Sequence, residues 1–494
     1  MTGYKKGSIS VYLLLFLSVF ILLVNAVFMS LRYQGARVVV KTAAQQSLFD
    51  LFSRYEPTLL EKYDLLFLDG GFGGEDLKAG SMLSCIEDNA GVCWGEQSIA
   101  SNPFGLSTKK ASLTAYTLAT DQKGEALYRQ AILSEKEGLA GTALSLLKEE
   151  ITDGKANEEK GASEGDVDEA CDDYKKAVES AEEGDYEEAG LTTEGSGEEA
   201  QETSGASAVR IEKNPIEVIK KLKKKGILAL VLPQGKKVSE KSISKKDLPS
   251  GRSLHKGLGL TAAADSHTGT DHLYFAAYLG EHLSSFTDPD ENAGLSYQTE
   301  YIIGGKTKDE ENLKKTVNRL LLLREGANLS YLRKDPVKSA EIKSMAAAIA
   351  TGLAVPVGEP VVETALRVCY AYGESLLDVR RLLAGGKVPL SKEAGDWQLS
   401  LEQLADISKL LSQADGGKGS GLSYTGYLKI LLGIKGDAAC LSGGMDMIEL
   451  GMRGEEDEKN FRLDNCIYSM EIELTAGVTG LSDISAGAYR SYEN

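Results

Sequence analysis

The sequence predicts an α+β chain, mainly helical. A long N-terminal transmembrane and stalk helix precedes an extracytoplasmic globular region that carries an acidic disordered insertion. Three observations predict this. Residues 8–31, SISVYLLLFLSVFILLVNAVFMSL, form one uncharged apolar run. Residues 149–202 hold 21 Asp or Glu against four Lys, a local net charge of −17 within a total of −18. Beyond residue 211 apolar side chains recur at helical spacing, with a few alternating stretches between.

Residues 1–7 read as a short cytoplasmic tail with Lys5 and Lys6. The run 8–31 spans roughly 36 Å as a helix at ~1.5 Å per residue, enough for a hydrocarbon core of ~30 Å. Two readings compete. One is a retained single-pass anchor in the cell membrane. The other is a signal peptide cut after Val24-Asn25-Ala26. The run continues through Val27, Phe28 and Met29, which favours the anchor. Arg32, Arg37 and Lys41 balance Lys5 and Lys6, so the positive-inside rule does not orient the helix. The shortness of the tail places the C-terminal domain outside.

Residues 32–56 continue as an amphipathic stalk helix. Ala44, Leu48, Leu51, Phe52 and Tyr55 share one face, and Pro57 stops the helix. Residues 57–148 read as a membrane-proximal α+β region. In it Thr108–Leu147, including SLTAYTLAT, is expected to be helical, and Leu127, Ile132, Leu139, Leu144 and Leu147 form a stripe. Cys85 and Cys93 bracket a short loop and are the disulfide candidate.

Residues 149–210 have few large apolar side chains and repel themselves, so disorder is expected, with a transient helix near Asp166–Glu188. Cys171 would then be exposed. The sign reverses over Lys213–Arg252, with eleven Lys and one Arg. IEVIKKLKKK reads as a basic amphipathic helix, suited to anionic lipid, an acidic partner or the adjacent acidic segment. ILALVL reads as a strand. The region 211–494 is expected to be one distal α+β domain. Helices are expected at HLYFAAYLGEHL, Asp309–Glu325, Glu359–Leu383, Leu399–Leu411, Tyr424–Ile434 and Met445–Met452. LSYQTEYII and Tyr468–Val478 alternate as strands do. Cys369 lies in an apolar helix and reads as a buried free thiol.

The acidic balance excludes a general nucleic-acid binder. Templates for chemistry mostly fail. Gly305-Lys306-Thr307 resembles the end of a phosphate loop, but the first glycine is replaced by Glu300, whose charge repels phosphate. Asp288, Asp290 and Asn292 fit the first three positions of a calcium loop, with Ala293 at the glycine position and Thr299 at the bidentate one. They are the weak metal candidates, with calcium the cofactor they would take. His255, His267, His272 and His282 lack ligand spacing. No nucleophile elbow occurs. No catalytic or cofactor-binding residue is assigned, and an enzyme is not expected.

The segment KKGSISVYLLLF, with the long helix and then YDLLFLD at Tyr63–Asp69, resembles the start of pseudopilin-like proteins of tight-adherence pilus systems. That resemblance implies processing between Gly7 and Ser8. The group usually carries Glu at the fifth position after the cut, where this chain has Tyr12. The blocks Glu300–Leu332, Ala371–Leu401 and Leu422–Leu432 resemble an uncharacterised family of membrane-anchored proteins from clostridia-type bacteria, encoded near tight-adherence pilus genes. It has no established activity. Together these resemblances imply a structural or accessory subunit, with the membrane and other surface-assembly subunits as partners. The alternative is an extracellular ligand- or cation-binding protein using residues 255–300.

Overall fold

A computed structural model describes residues 8–96, 101–138, 141–183, 213–259, 269–352, 358–413 and 419–492. The class is α+β and mainly helical, as the patterning predicts. The chain divides into two units: Met1–Leu133 with Lys246–His267 and Ile448–Asn494, and Ser134–Lys245 with Thr268–Met447. They interleave in sequence, whereas the reading above cuts the chain linearly at 148 and 211. The reason is strand pairing between sequence-distant segments.

In the first unit α1 (Ser8–Phe52) is continuous for 45 residues. Then come α2 (Pro57–Tyr63), β1 (Leu68–Asp69), α3 (Ala79–Cys93) and β2 (Leu106–Leu118). The strand β3 (Cys466–Val478) is central, antiparallel to β2 on one side and to β1 and β4 (Ile484–Ser491) on the other. Along β3, Met470, Ile472, Leu474 and Ala476 are buried, while Glu471 and Glu473 are exposed. That alternation made this strand legible. β2 was expected to be helical. Its register shifts at three points, which breaks the two-residue period and hides the strand.

The second unit is helical. Its elements include α4 (Glu125–Gly138, shared with the first unit's residues), α5 (Gly141–Glu164), α6 (Val167–Glu183), α7 (Pro215–Lys223), α8 (Ile227–Val231), α9 (Asp271–His282) and α10 (Gln298–Gly304). There follow α11 (Asp309–Lys334), α12 (Pro336–Gly352), α13 (Glu359–Leu383), α14 (Ile407–Gln413), α15 (Tyr424–Lys435) and α16 (Asp437–Met452, which runs on into the first unit's residues).

Three expectations need correction here. Residues 149–164 and 167–183 are helical, in α5 and α6; residues 184–210 lie outside the described residues. The acidic charge is matched by bases elsewhere in the unit: Arg319 holds Glu158 at 2.6 Å, Arg333 holds Glu164 at 2.6 Å, and Lys220 and Lys223 of α7 hold Asp172 at 2.6 Å and Asp168 at 2.7 Å. ILALVL is the helix α8, because Arg380 Nη1 donates to Leu232 O at 2.6 Å and satisfies a terminal carbonyl. TEYII lies in α10, because Asp309 accepts the Ser296 and Tyr297 N–H groups just ahead of it, and Gly305 closes it at φ 69°. These short apolar runs suit either state until tertiary partners choose.

Candidate functional site: the N-terminal helix and the polar clusters

The helix α1 has two chemically different halves. From Ile9 to Leu31 its large apolar side chains are all exposed. It is the one helix among the described residues long and apolar enough to cross a membrane. From Ala36 onward a stripe of Ala36, Val40, Ala43, Ala44, Leu48, Leu51 and Phe52 is buried against α3 and the inner face of the sheet. The spacing of 3 and 4 keeps these residues on one face.

The packed half is tied down at both ends. Arg32 Nη2 donates to Phe104 O at 2.8 Å. Phe104 also lies against Gly35, where an added Cβ would sit 2.7 Å from its ring. At the other end Tyr492 donates its hydroxyl to Phe52 O at 2.6 Å, and the two rings lie 4.9 Å apart. The outer edge of β4 carries the exposed Tyr489 and pairs with no other strand among the described residues. Ser8 is the first residue of α1; Gly7 lies outside the described residues.

The other predicted positions scatter. Among the described residues no three His, Cys, Asp or Glu come together to hold a metal. At the turn of Asp288, Asp290 and Asn292, Lys241 supplies the positive charge. Its ammonium donates to Glu291 O at 2.7 Å and Ala293 O at 2.9 Å. Asp290 meanwhile accepts the Asn292 and Ala293 N–H groups. A fixed ammonium on these carbonyls opposes a cation there. His255 bonds Asn465 at 2.9 Å in the first unit, and His282 packs on Tyr278 in the second. His267 lies outside the described residues.

The Cys85–Cys93 bridge is also corrected: all six cysteines are free. Both residues lie on α3, where eight residues rise roughly 12 Å, too far for a disulfide. Cys171, expected exposed, is buried, because α6 is a packed helix; Cys369 is buried as expected.

Sequence reasoning missed the buried charges. In the second unit Arg324, Asp378, Glu374 and Lys392 form one network with almost no exposure. Burial opposes the Asp378 carboxylate, but Lys392 and Arg324 outweigh it and hold its pKa below the usual value. In the first unit Arg252 bridges Glu449, at 2.6 Å, and Asp464. The only sequence signal was a charged residue interrupting an apolar helical face, as Arg324 does in NRLLLLREGANL.

Glu300 is fully buried. It accepts the Phe286 N–H and the Tyr424 hydroxyl, each at 2.8 Å. Burial nonetheless pushes its pKa from 4.5 up to about 7. Between those values the folded chain holds a proton that the unfolded chain has released. Stability from this group is therefore full below pH 4.5 and is lost as pH rises to about 7. The expected loss is on the order of 3 kcal/mol. Thermal melts of wild type and Glu300→Gln between pH 4.5 and 7.5 should diverge, with the variant flatter. Parallel curves would refute the assignment.

No curated protein and no solved structure matches this chain. The region that does match a family spans 206–478, more than half of the chain, and contains the three blocks at Glu300–Leu332, Ala371–Leu401 and Leu422–Leu432. On that match the chain belongs to a family of unknown function, DUF5702.

Proposed function

We propose that this protein is a membrane-anchored structural subunit of pseudopilin-like type, an accessory component of a tight-adherence pilus or similar cell-surface assembly. It acts by contact and carries out no turnover. Its C-terminal domain lies outside the cell. The observation that supports this reading is the division of α1: a bare apolar half followed, without a break, by a half laid on an antiparallel sheet. A bare apolar half suits lipid or the apolar helices of neighbouring subunits. A rigid, doubly tied lower half would transmit that placement to the folded unit. The basic KKGS segment ahead of it is consistent with processing before Ser8.

The test is the mature N-terminus of native protein, read by mass spectrometry in membrane and secreted fractions. The expected start is Ser8. A start at Met1 in membranes would leave a plain anchor and remove the pilin-type processing. A start at Val27 in the medium would remove the anchor as well.

A further inference from the structure

We propose that Cys171 and Cys369 form a reversible disulfide that locks α6 onto α13. The two Sγ atoms lie 3.8 Å apart, both buried, on helices 198 residues apart in sequence. They are the one pair of thiols in contact among the six cysteines. Bond formation needs an approach of about 1.8 Å to reach ~2.05 Å.

The surroundings favour a defined order of events. The S–H···S contact with Cys369 holds the Cys171 thiol below its ordinary pKa against the opposing effect of burial, with Lys220 and Lys223 adding to the lowering. Cys369 is raised, first by that same bond and then by burial. Cys171 is therefore the attacking thiolate and Cys369 the resolving thiol. Cys171 attacks an external disulfide RS–SR and expels one RS⁻, which takes up a proton. Cys369 loses its proton and attacks the Cys171 sulfur of the mixed disulfide, expelling the second. The protein dithiol is oxidised to a disulfide, and RS–SR is reduced to two RSH.

Access comes through α6. Its buried face is small, with Val167, Cys171 and Tyr174, and its outer face is held to α7 by Lys220–Asp172 and Lys223–Asp168. Those pairs lie at the surface and weaken in salt. Lifting α6 exposes Cys171 to the disulfide, and closing it delivers Cys369. The bond removes that opening, so α6 passes from a detachable element to a fixed one.

The experiment uses the full chain in detergent micelles, incubated with glutathione disulfide, then acid-quenched, unfolded, alkylated and digested. The dominant cross-linked peptide should join Cys171 to Cys369. Oxidation should raise the unfolding midpoint by about 5 °C, as closure of a long loop does, and dithiothreitol should reverse it. Cys171→Ser and Cys369→Ala should each abolish both the cross-link and the shift. Cys93→Ser should keep them. The proposal fails if Cys171 and Cys369 are recovered alkylated while the exposed Cys93 is fully modified. It also fails if Cys171 carries only a glutathione adduct, or if the midpoint rise persists in either variant. Should Cys171→Ser not fold, Cys369→Ala carries the control and the wild-type peptide map still decides.

Discussion

Replacing Arg324 by methionine should destabilise the helical unit by about 3–5 kcal/mol. The side chain is wholly buried and uses nearly all of its donors. Nε donates to Asp378 at 3.1 Å, and Nη1 to Pro389 O, Leu390 O and the Tyr427 hydroxyl at 2.8–2.9 Å. Lys392 answers Glu374 and also reaches Asp378 at 2.8 Å. Two buried cations thus face two buried carboxylates. Removing one cation leaves a net negative charge and takes from the part-buried Leu390 carbonyl its donor, and both are costly. Methionine fills much of the volume, so a cavity contributes little. The double variant Arg324→Met with Asp378→Leu restores the charge balance around Lys392–Glu374, and should lose less than the sum of the single changes. Denaturant unfolding followed by Trp397 fluorescence, in a Trp94→Phe background, reads this unit, because Lys392 lies 5.3 Å from the Trp397 ring. Additive losses would show that the four groups do not act as a network.

Substituting Gly326 by alanine is the second large effect, about 3 kcal/mol, at the upper end for overpacking. At this point α11 and α5 touch backbone to backbone. A Cβ on Gly326 would lie 1.9 Å from Asn157 O, and one on Gly161 would lie 1.9 Å from Leu322 O. Neither obstacle is a flexible side chain, so the helix axes must separate. That would strain the nearby Arg319–Glu158 bond. The same tryptophan-monitored unfolding should show the loss. Gly138→Ala, where a Cβ meets nothing within 4 Å, should be near neutral or slightly stabilising. Equal behaviour of the two alanines would remove the close crossing from the account.

The same crossing explains where the sequence was misleading. The segment 149–183 has few large apolar residues because α5 approaches α11 through glycines, and glycine-rich acidic sequence looks disordered. Its charges looked unbalanced because their partners, Arg319, Arg333, Lys220 and Lys223, lie far along the chain. By contrast α13 was legible end to end, since its long amphipathic face and the Pro at its start are local signals. α1 was legible for the same reason. The buried charge network was not, because a sequence does not say which Arg meets which Asp. Its clearest local sign was Arg324 within a leucine run. For the candidate site, the apolar run and stalk stripe were visible in advance. The ties made by Phe104 and Tyr492 were not, since both are long-range contacts to backbone.

The pairing of β3 with β2 sets a clock on biogenesis. Ser112 and Glu473 are 361 positions apart yet share a hydrogen bond. A ribosome that has made α1 and β2 must therefore read through α4–α16 before the partner strand exists. Until then the stalk half of α1 lacks most of the sheet that covers Leu48, Leu51 and Phe52. The apolar half of α1 has no partner in the fold to wait for, since its side chains are exposed from Ile9 to Leu31, while the second half waits for β3 and β4. Helical segments such as α11 and α13 rely on nearer contacts and can close first. A chain truncated ahead of β3 would be unfinished, showing the apolar surface of the second half of α1 to proteases and chaperones. Completion of the sheet thus acts as a late checkpoint, joining α1 to strands made long after it.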